Sequence, residues 1–282
     1  MPMRGNGDQA GAAGAAGAGR PGSFGIIITN RDRPLPVGPC LESLAVQHAP
    51  PAWVLLSDLG SGPGERAELR ALADRYGVSY LRIDHEAAWN KSLAFNTALR
   101  AALLGLPAVS HIIQLDADMI LHPLLLARAS AEVRAVSSFW CAPRLAPRDL
   151  RTWATPGDQA AYAEMIAQCG PVMHFAIGTF LALPCDWLVS QRGFDEAFTG
   201  WGHEDTELWW RVRRSLTHAE DTSGTMLIHQ WHAQQPNAGK RGQNWPLFMQ
   251  RIANPATAAN PAGWGEGPVA ESVLRPGIIP RT

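Results

Sequence analysis

The sequence is short of cysteine, carries no excess of either charge and contains no long apolar run. Its four cysteines, Cys40, Cys141, Cys169 and Cys185, lie far apart without a C-x-x-C pair. That excludes a zinc knuckle or a dense disulfide scaffold and leaves them as reduced core residues. Lys and Arg number 24 against 25 Asp and Glu, and the longest basic run is "RVRR", so the clustered cations of a dedicated nucleic-acid binder are missing. The opening "MPMRGNGDQAGAAGAAGAGRPG" has no continuous apolar stretch, and nothing later offers the roughly 20 uninterrupted apolar residues of a transmembrane segment. A cytoplasmic protein is expected.

What is present is a chain of 282 residues, 46% of them hydrophobic, enough to bury a full core. Residues 1–22 are almost entirely Gly, Ala and small polar residues, too poor in large side chains to offset the entropy of ordering, and are expected to form a disordered leader. After them, "FGIIITN" and "AWVLLSDLGSG" read as buried strands about thirty residues apart, and "VSHIIQLDADMI" as a third. Helical segments lie between: "CLESLAVQ", "GERAELRALADRYG" with its closing glycine, and "NKSLAFNTALRAALLG". Strands alternating with helices imply right-handed βαβ units and a mostly parallel sheet flanked by helices, with ligands beyond the carboxyl ends of the strands. Further on, "DQAAYAEMIAQCG" and "EDTELWWRVRRSL" read as helices, "MHFAIGTFLALP" as a strand region and "CDWLVSQRGFDEAF" as a short helix and turn. Residues 256–282 form a Pro/Gly-rich tail.

Three constellations carry chemistry. In "IIQLDADMI", Asp116 and Asp118 are two apart at the end of an extended run, so strand alternation would send both carboxylates to one face. Such a pair suits Mg²⁺ or Mn²⁺, or else a solvated turn; the apolar run and the strand-end position favour the cation. In "GTMLIHQWH", His229 is either a further ligand or a satisfied core histidine, and only the company of the paired acids raises it above the other histidines. In "GWGHEDTELWWRV", Glu204 and Asp205 stand where a helix begins, a place for a capping acid. The preceding glycines allow close approach of backbone to a ligand, and Trp201 offers a flat apolar face of the kind sugars stack against.

Together, "LDADM", "GWGHED" about 85 residues later and then "MLIH" resemble the glycosyltransferases of the GT-A fold, with their DxD and WGxED motifs. The resemblance runs from about residue 24 to about 250 and is nearest to the β-1,4-galactosyltransferase and chondroitin-polymerase type. It implies an α/β, Rossmann-like GT-A domain over residues 23–255, with a nucleotide-binding half (23–125) and an acceptor and catalytic half (126–255). It also implies transfer of a hexose or N-acetylhexosamine from a UDP-sugar to a glycan or other hydroxyl acceptor, with Mn²⁺ or Mg²⁺ as cofactor and inversion at the anomeric carbon.

Residue by residue, the resemblance gives Asp118 and His229 to the metal, with Met226 of "MLIH" near it, and places Asp116 beside the nucleotide. Asp205 takes the position of the base that deprotonates the acceptor, and Trp201, Gly202 and Glu204 line the acceptor. Thr29, Asn30 and Arg31 in "FGIIITNRDRP" correspond to the nucleotide loop, Asp58 to the acid that reads uracil, and Trp89 and Lys91 to the aromatic and basic residues facing the sugar nucleotide. Two departures stand out. His203 replaces a glycine that the family often has, and Lys91 stands where an arginine is usual, which keeps the charge but gives up the bidentate fork. The segment 230–244, rich in Gly, Gln and Asn, corresponds to the loop that closes over donor. A retaining transferase of this fold, a sugar-nucleotide hydrolase and a non-catalytic glycan-binding module are the alternatives.

Overall fold

The computed structural model describes residues 22–150, 157–232, 242–255 and 258–278. The expected leader lies outside them apart from Gly22, as does most of the 230–244 segment. At the centre is an eight-stranded sheet that begins with β1 (Phe24–Asn30), β2 (Trp53–Leu59), β3 (Ser79–Ile83) and β4 (His111–Asp116). These four run parallel in the order β3-β2-β1-β4. Their composition explains the placement, because "FGIIITN" and "WVLLSDL" are buried along their whole length, as expected of strands covered on both faces.

The covering layers follow from alternation along β1. Ile26 and Ile28 face one core with Cys40, Leu41 and Leu44 of α1 (Val37–Ala45), Leu69 and Ala73 of α2 (Pro63–Tyr76), and Leu125, Leu126 and Ala129 of α4 (Leu125–Ala135). Ile27 faces the other, against Ala94, Phe95, Ala98 and Leu99 of α3 (Lys91–Gly105). Each fully buried large side chain contributes roughly 1.5–3 kcal/mol, so this double-sided packing dominates the stability of the region.

Beyond β4 the order becomes irregular. The strand β8 (Phe180–Pro184) pairs antiparallel with β4, and β6 (Ser138–Cys141) antiparallel with β8, followed by β9 (His218–Asp221). At the opposite edge, β11 (Val269–Val273) pairs antiparallel with β3. Six of the eight strands therefore share one direction and β8 and β11 reverse it, a mixed sheet consistent with the mostly parallel one expected. Several elements were not anticipated, among them β3, α4, β6, β9 and β11; the last lies within the Pro/Gly-rich stretch.

A separate small sheet decides the geometry of the site. It joins β5 (Met119–Leu121), β10 (Leu227–His229) and β7 (Arg144–Leu145). The antiparallel register sets His229 opposite Met119, and Gln230 N–H donates to the Asp118 carbonyl at 2.8 Å. Residues 110 positions apart are thereby fixed beside one another. On the far side of the cleft, α7 (Glu204–Ser215) follows the reversed strand and the short α6 (Cys185–Ser190), and packs Leu208, Trp209 and Val212 into the second core.

Candidate active site

A cleft of about 520 Å³ opens beyond the carboxyl ends of β1 and β4, where ligands collect in sheets of this kind. Thr29, Asn30, Arg31, Trp89, Lys91, Asp116, Asp118, Trp201, Glu204, Asp205 and His229 all line it. Residues drawn from five separate stretches of sequence thus meet in one place. Gly202 lies between two of the lining residues. Asp58 and Met226 are placed differently. Asp58 is fully buried, with Oδ2 accepting from Tyr80 Oη at 2.7 Å and Arg82 Nη1 at 3.1 Å, and Oδ1 accepting from Ser61 N–H. Met226 packs against the first core, and its carbonyl accepts from His122 N–H.

The two acids of "LDADM" reach the cleft by a turn. β4 ends at Asp116, and residues 117–118 form the turn into β5, so strand alternation, the reason for expecting a shared face, does not operate across them. Each acid has its own cation. Lys91 Nζ donates to Asp116 Oδ1 at 2.7 Å and to the Gly178 carbonyl at 3.2 Å. Arg33 Nη2 donates to Asp118 Oδ2 at 3.1 Å. Burial raises the Asp116 carboxyl above the usual range, Asp118 adds to this and Lys91 pulls it back. For Lys91, burial works against the charged form, but the pull of Asp116, Glu204 and Asp205 outweighs it and holds the ammonium firmly protonated.

Asp118, His229 and His232 bring potential ligand atoms within 4.8 Å of one another. His232 Nε2 lies 3.3 Å from Asp118 Oδ2, and His229 Nε2 lies 3.8 Å from Asp118 Oδ1. Two buried atoms, Asp118 Oδ1 and His229 Nδ1, have no hydrogen-bond partner among the described residues. Unpaired buried polar atoms are costly, and one carboxylate with two imidazoles is a donor set suited to Mn²⁺ and neighbouring divalent ions. The residues fit a cation. His232 was not among the ligands expected from sequence; its place three residues after His229 was the available signal.

The other wall belongs to α7. Asp205 Oδ1 accepts from Thr206 N–H at 2.7 Å and from Thr206 Oγ1 at 3.2 Å, while Oδ2 accepts from Gly178 N–H at 3.1 Å. The helix is capped by the backbone of His203 without a side-chain cap bond, so neither acid serves as the N-cap itself. Buried Glu204 is pushed up to about 7, by burial first and by Asp205 second. Deeper in the helix, Arg211 grips Glu207 through Nε and Nη2 and also donates to the Gly193 carbonyl at 3.0 Å. That buried pair fixes the helix against the loop preceding the WGHED stretch.

Gly178, missed in the sequence, joins the two sides. Its N–H holds Asp205 and its carbonyl holds Lys91; a Cβ there would sit 2.5 Å from Asp205 Oδ2 and 2.9 Å from Lys91 Nζ, so a larger residue would push both groups aside. The departure at His203 is also explained. Its φ is +72°, in the left-handed region where glycine is usual, and its ring stacks on Phe248 of α8 (Trp245–Ala253) at 5.4 Å. Asn244 ties the same loop to that helix by donating to the carbonyls of Thr199 and Gly202 at 3.1 and 2.8 Å.

Comparison with known proteins places this geometry. A family model described as the N-terminal domain of galactosyltransferase matches residues 173–230, the stretch that contains Gly178, the WGHED segment and His229. The mannosyltransferase PcManGT of Pyrobaculum calidifontis, solved with GDP-Man and Mn²⁺, superposes with a TM-score of 0.57 at 17% identity over 84% of this chain. TarS of S. aureus (residues 1–349) does so with TM-scores of 0.59 in its complexes with UDP and UDP-GlcNAc, at 12% and 13% identity over 82% of this chain. The chain spans 66% of the mannosyltransferase and 64% and 67% of the two TarS chains. No curated protein matches the sequence. The fold is that of the GT-A glycosyltransferases. Among the described residues, no helix is long and apolar enough to cross a membrane.

Proposed function

We propose that the chain is a metal-dependent glycosyltransferase that moves a hexose or N-acetylhexosamine from a UDP-sugar to a hydroxyl acceptor with inversion. The observation that carries this reading is the presence, in one cleft, of a carboxylate and imidazole cation site and of Asp205 across from Lys91. Asp118, His229 and His232 would hold Mn²⁺ or Mg²⁺, which when bound supplies positive charge to the diphosphate of the leaving nucleotide.

The remaining steps belong to the chain's own groups. Thr29, Asn30, Arg31 and Trp89 form the wall on which the nucleotide lies. Lys91, locked in its charged form between Asp116 and the Gly178 carbonyl, keeps a fixed positive charge beside the donor without reorienting as the bond breaks. Asp205, held in place by Gly178 and Thr206, accepts the proton of the attacking hydroxyl, so attack comes from the face opposite the departing nucleotide. Trp201 offers the acceptor its flat face, and Glu204 a hydrogen-bonding carboxyl beside it. The domain limits proposed are 23–255 for the transferase, with 1–22 as leader and 256–282 as tail.

The test is a donor panel of UDP-sugars and GDP-mannose with Mn²⁺ and simple sugar acceptors, the first product being analysed by NMR for its anomeric configuration. Inverted product from a UDP-sugar supports the proposal. Retained configuration, turnover of GDP-mannose alone, or donor loss independent of acceptor would each replace it.

A further inference from the structure

Arg33 lies outside the functional residues named so far, yet it makes the shortest contact of any cation to the key metal-side acid. Its Nη2 donates to Asp118 Oδ2 at 3.1 Å, on the carboxylate that also faces His229 and His232. The contact is built. Asn30 brackets the Arg33 backbone, donating from Nδ2 to the Arg33 carbonyl at 2.7 Å and accepting from Arg33 N–H at 3.2 Å. Asp32, with φ of +56°, is pinned to the loop after β2. Its N–H donates to Ser61 Oγ, and its Oδ1 accepts from Gly62 N–H, both at 2.8 Å. Four residues from two strand ends thus hold the loop that carries the guanidinium to Asp118.

From this arrangement we infer that Arg33 is a resident counter-ion that closes the cation site until a nucleotide diphosphate arrives. The inference rests on the reading of the cleft given above. Arg33 occupies Oδ2 of Asp118 and leaves Oδ1 without a hydrogen-bond partner, so a divalent ion bound through Oδ1 shares the carboxylate with Arg33 and places a second positive centre near the guanidinium. Bound alone, the ion meets that repulsion. A diphosphate relieves it by offering anionic oxygens to both centres, and guanidinium is well suited to pair with phosphate oxygens. Metal and nucleotide therefore bind as a pair, each strengthening the other by the same factor, as linkage requires.

The test uses the full chain and no turnover. Free Mn²⁺ is followed by electron paramagnetic resonance during titration of wild type, Arg33→Gln, Arg33→Lys and His229→Ala, each with and without UDP, with melting temperatures to verify folding. Arg33→Gln is expected to bind Mn²⁺ alone at least about tenfold more tightly than wild type, while the tightening that UDP gives to Mn²⁺ falls by a similar factor. Arg33→Lys, which keeps the charge, should stay near wild type for Mn²⁺ alone. Unchanged or weaker Mn²⁺ binding by Arg33→Gln overturns the inference, as does equal tightening in Arg33→Lys. If His229→Ala loses Mn²⁺ binding while Arg33→Gln changes nothing, the cation site stands and only the role of Arg33 falls. Wild type that takes up no Mn²⁺, with or without UDP, sinks both.

Discussion

The two walls of the cleft are held by different means. On the strand side, Thr29 and Asn30 of β1 and Asp116 of β4 sit at the ends of neighbouring parallel strands, where ladder bonds and the two cores fix each residue regardless of its side chain. On the helix side, Asp205 is placed by single bonds to irregular backbone. Gly178 holds its carboxylate, Asn244 holds the loop before it, and the Glu207–Arg211 pair holds the helix. Damage to the first wall has to break a sheet, whereas damage to the second needs only one side chain. The sheet supplies position in general, and the helix wall supplies position for the one carboxylate proposed as the base.

Breaking the helix wall at the proposed base should give the largest effect. Asp205→Asn keeps the shape and one of the two acceptor oxygens, so folding and UDP affinity within a few fold should persist while initial transfer rates drop about 10² to 10⁴-fold. An active variant would reduce Asp205 to a structural role. Breaking the strand side at the proposed metal ligand comes next. Asp118→Ala should remove the Mn²⁺-dependent part of the thermal stabilisation by UDP, roughly 2.7 kcal/mol at 100 times the Kd in wild type. Stabilisation equal with and without Mn²⁺ in wild type would count against the cation site.

The comparison is sharpened by pH. Glu204 is raised in the folded protein from 4.5 to about 7, so the stability it contributes is full below the ordinary carboxylate range and is lost as pH rises toward 7. Glu204→Gln lacks that loss. Chemical denaturation of the metal-free proteins should show its advantage over wild type growing by about 2 kcal/mol between pH 5.5 and 8; a constant difference would refute the burial of an ionising group. The smallest effect is expected from Asn244→Ala, which frees the Thr199 and Gly202 carbonyls. It should lower stability by about 1 kcal/mol, visible as a drop of about 2–4 °C in Tm, and raise KM for acceptor more than for donor.

Most of the strand wall was legible in the sequence because β-branched runs ending in polar residues reveal both a strand and its functional end. "FGIIITN" and "HIIQLD" carry that signal, and "SYLRI" of β3 carries less of it, with Arg82 interrupting the run. The helix wall was legible only in its side chains. Trp201, Glu204 and Asp205 declare themselves, but Gly178 acts through its N–H and carbonyl, groups that every non-proline residue has. Arg33 was equally silent, since a charged residue after a strand points anywhere until the Asn30 bracket and the Asp32 turn aim it. Asp58 differs in the opposite sense. The resemblance implied contact with the nucleotide base, whereas Tyr80, Arg82 and Ser61 engage both its oxygens.

The last strand has a consequence for the behaviour of the chain in solution. Without β11, the row of backbone donors and acceptors along β3 would face water, an open template for pairing with another molecule. Covering that row are Val269–Val273, and they are fastened by ion pairs of Arg70 with Glu271 and of Asp74 with Arg275. Tyr80, which holds Asp58, lies in the covered strand opposite Val273. Trimming the chain at residue 257 to obtain a neat catalytic core would therefore yield a stickier protein, prone to edge-to-edge association, with the support of the β2 carboxyl end weakened at the same stroke.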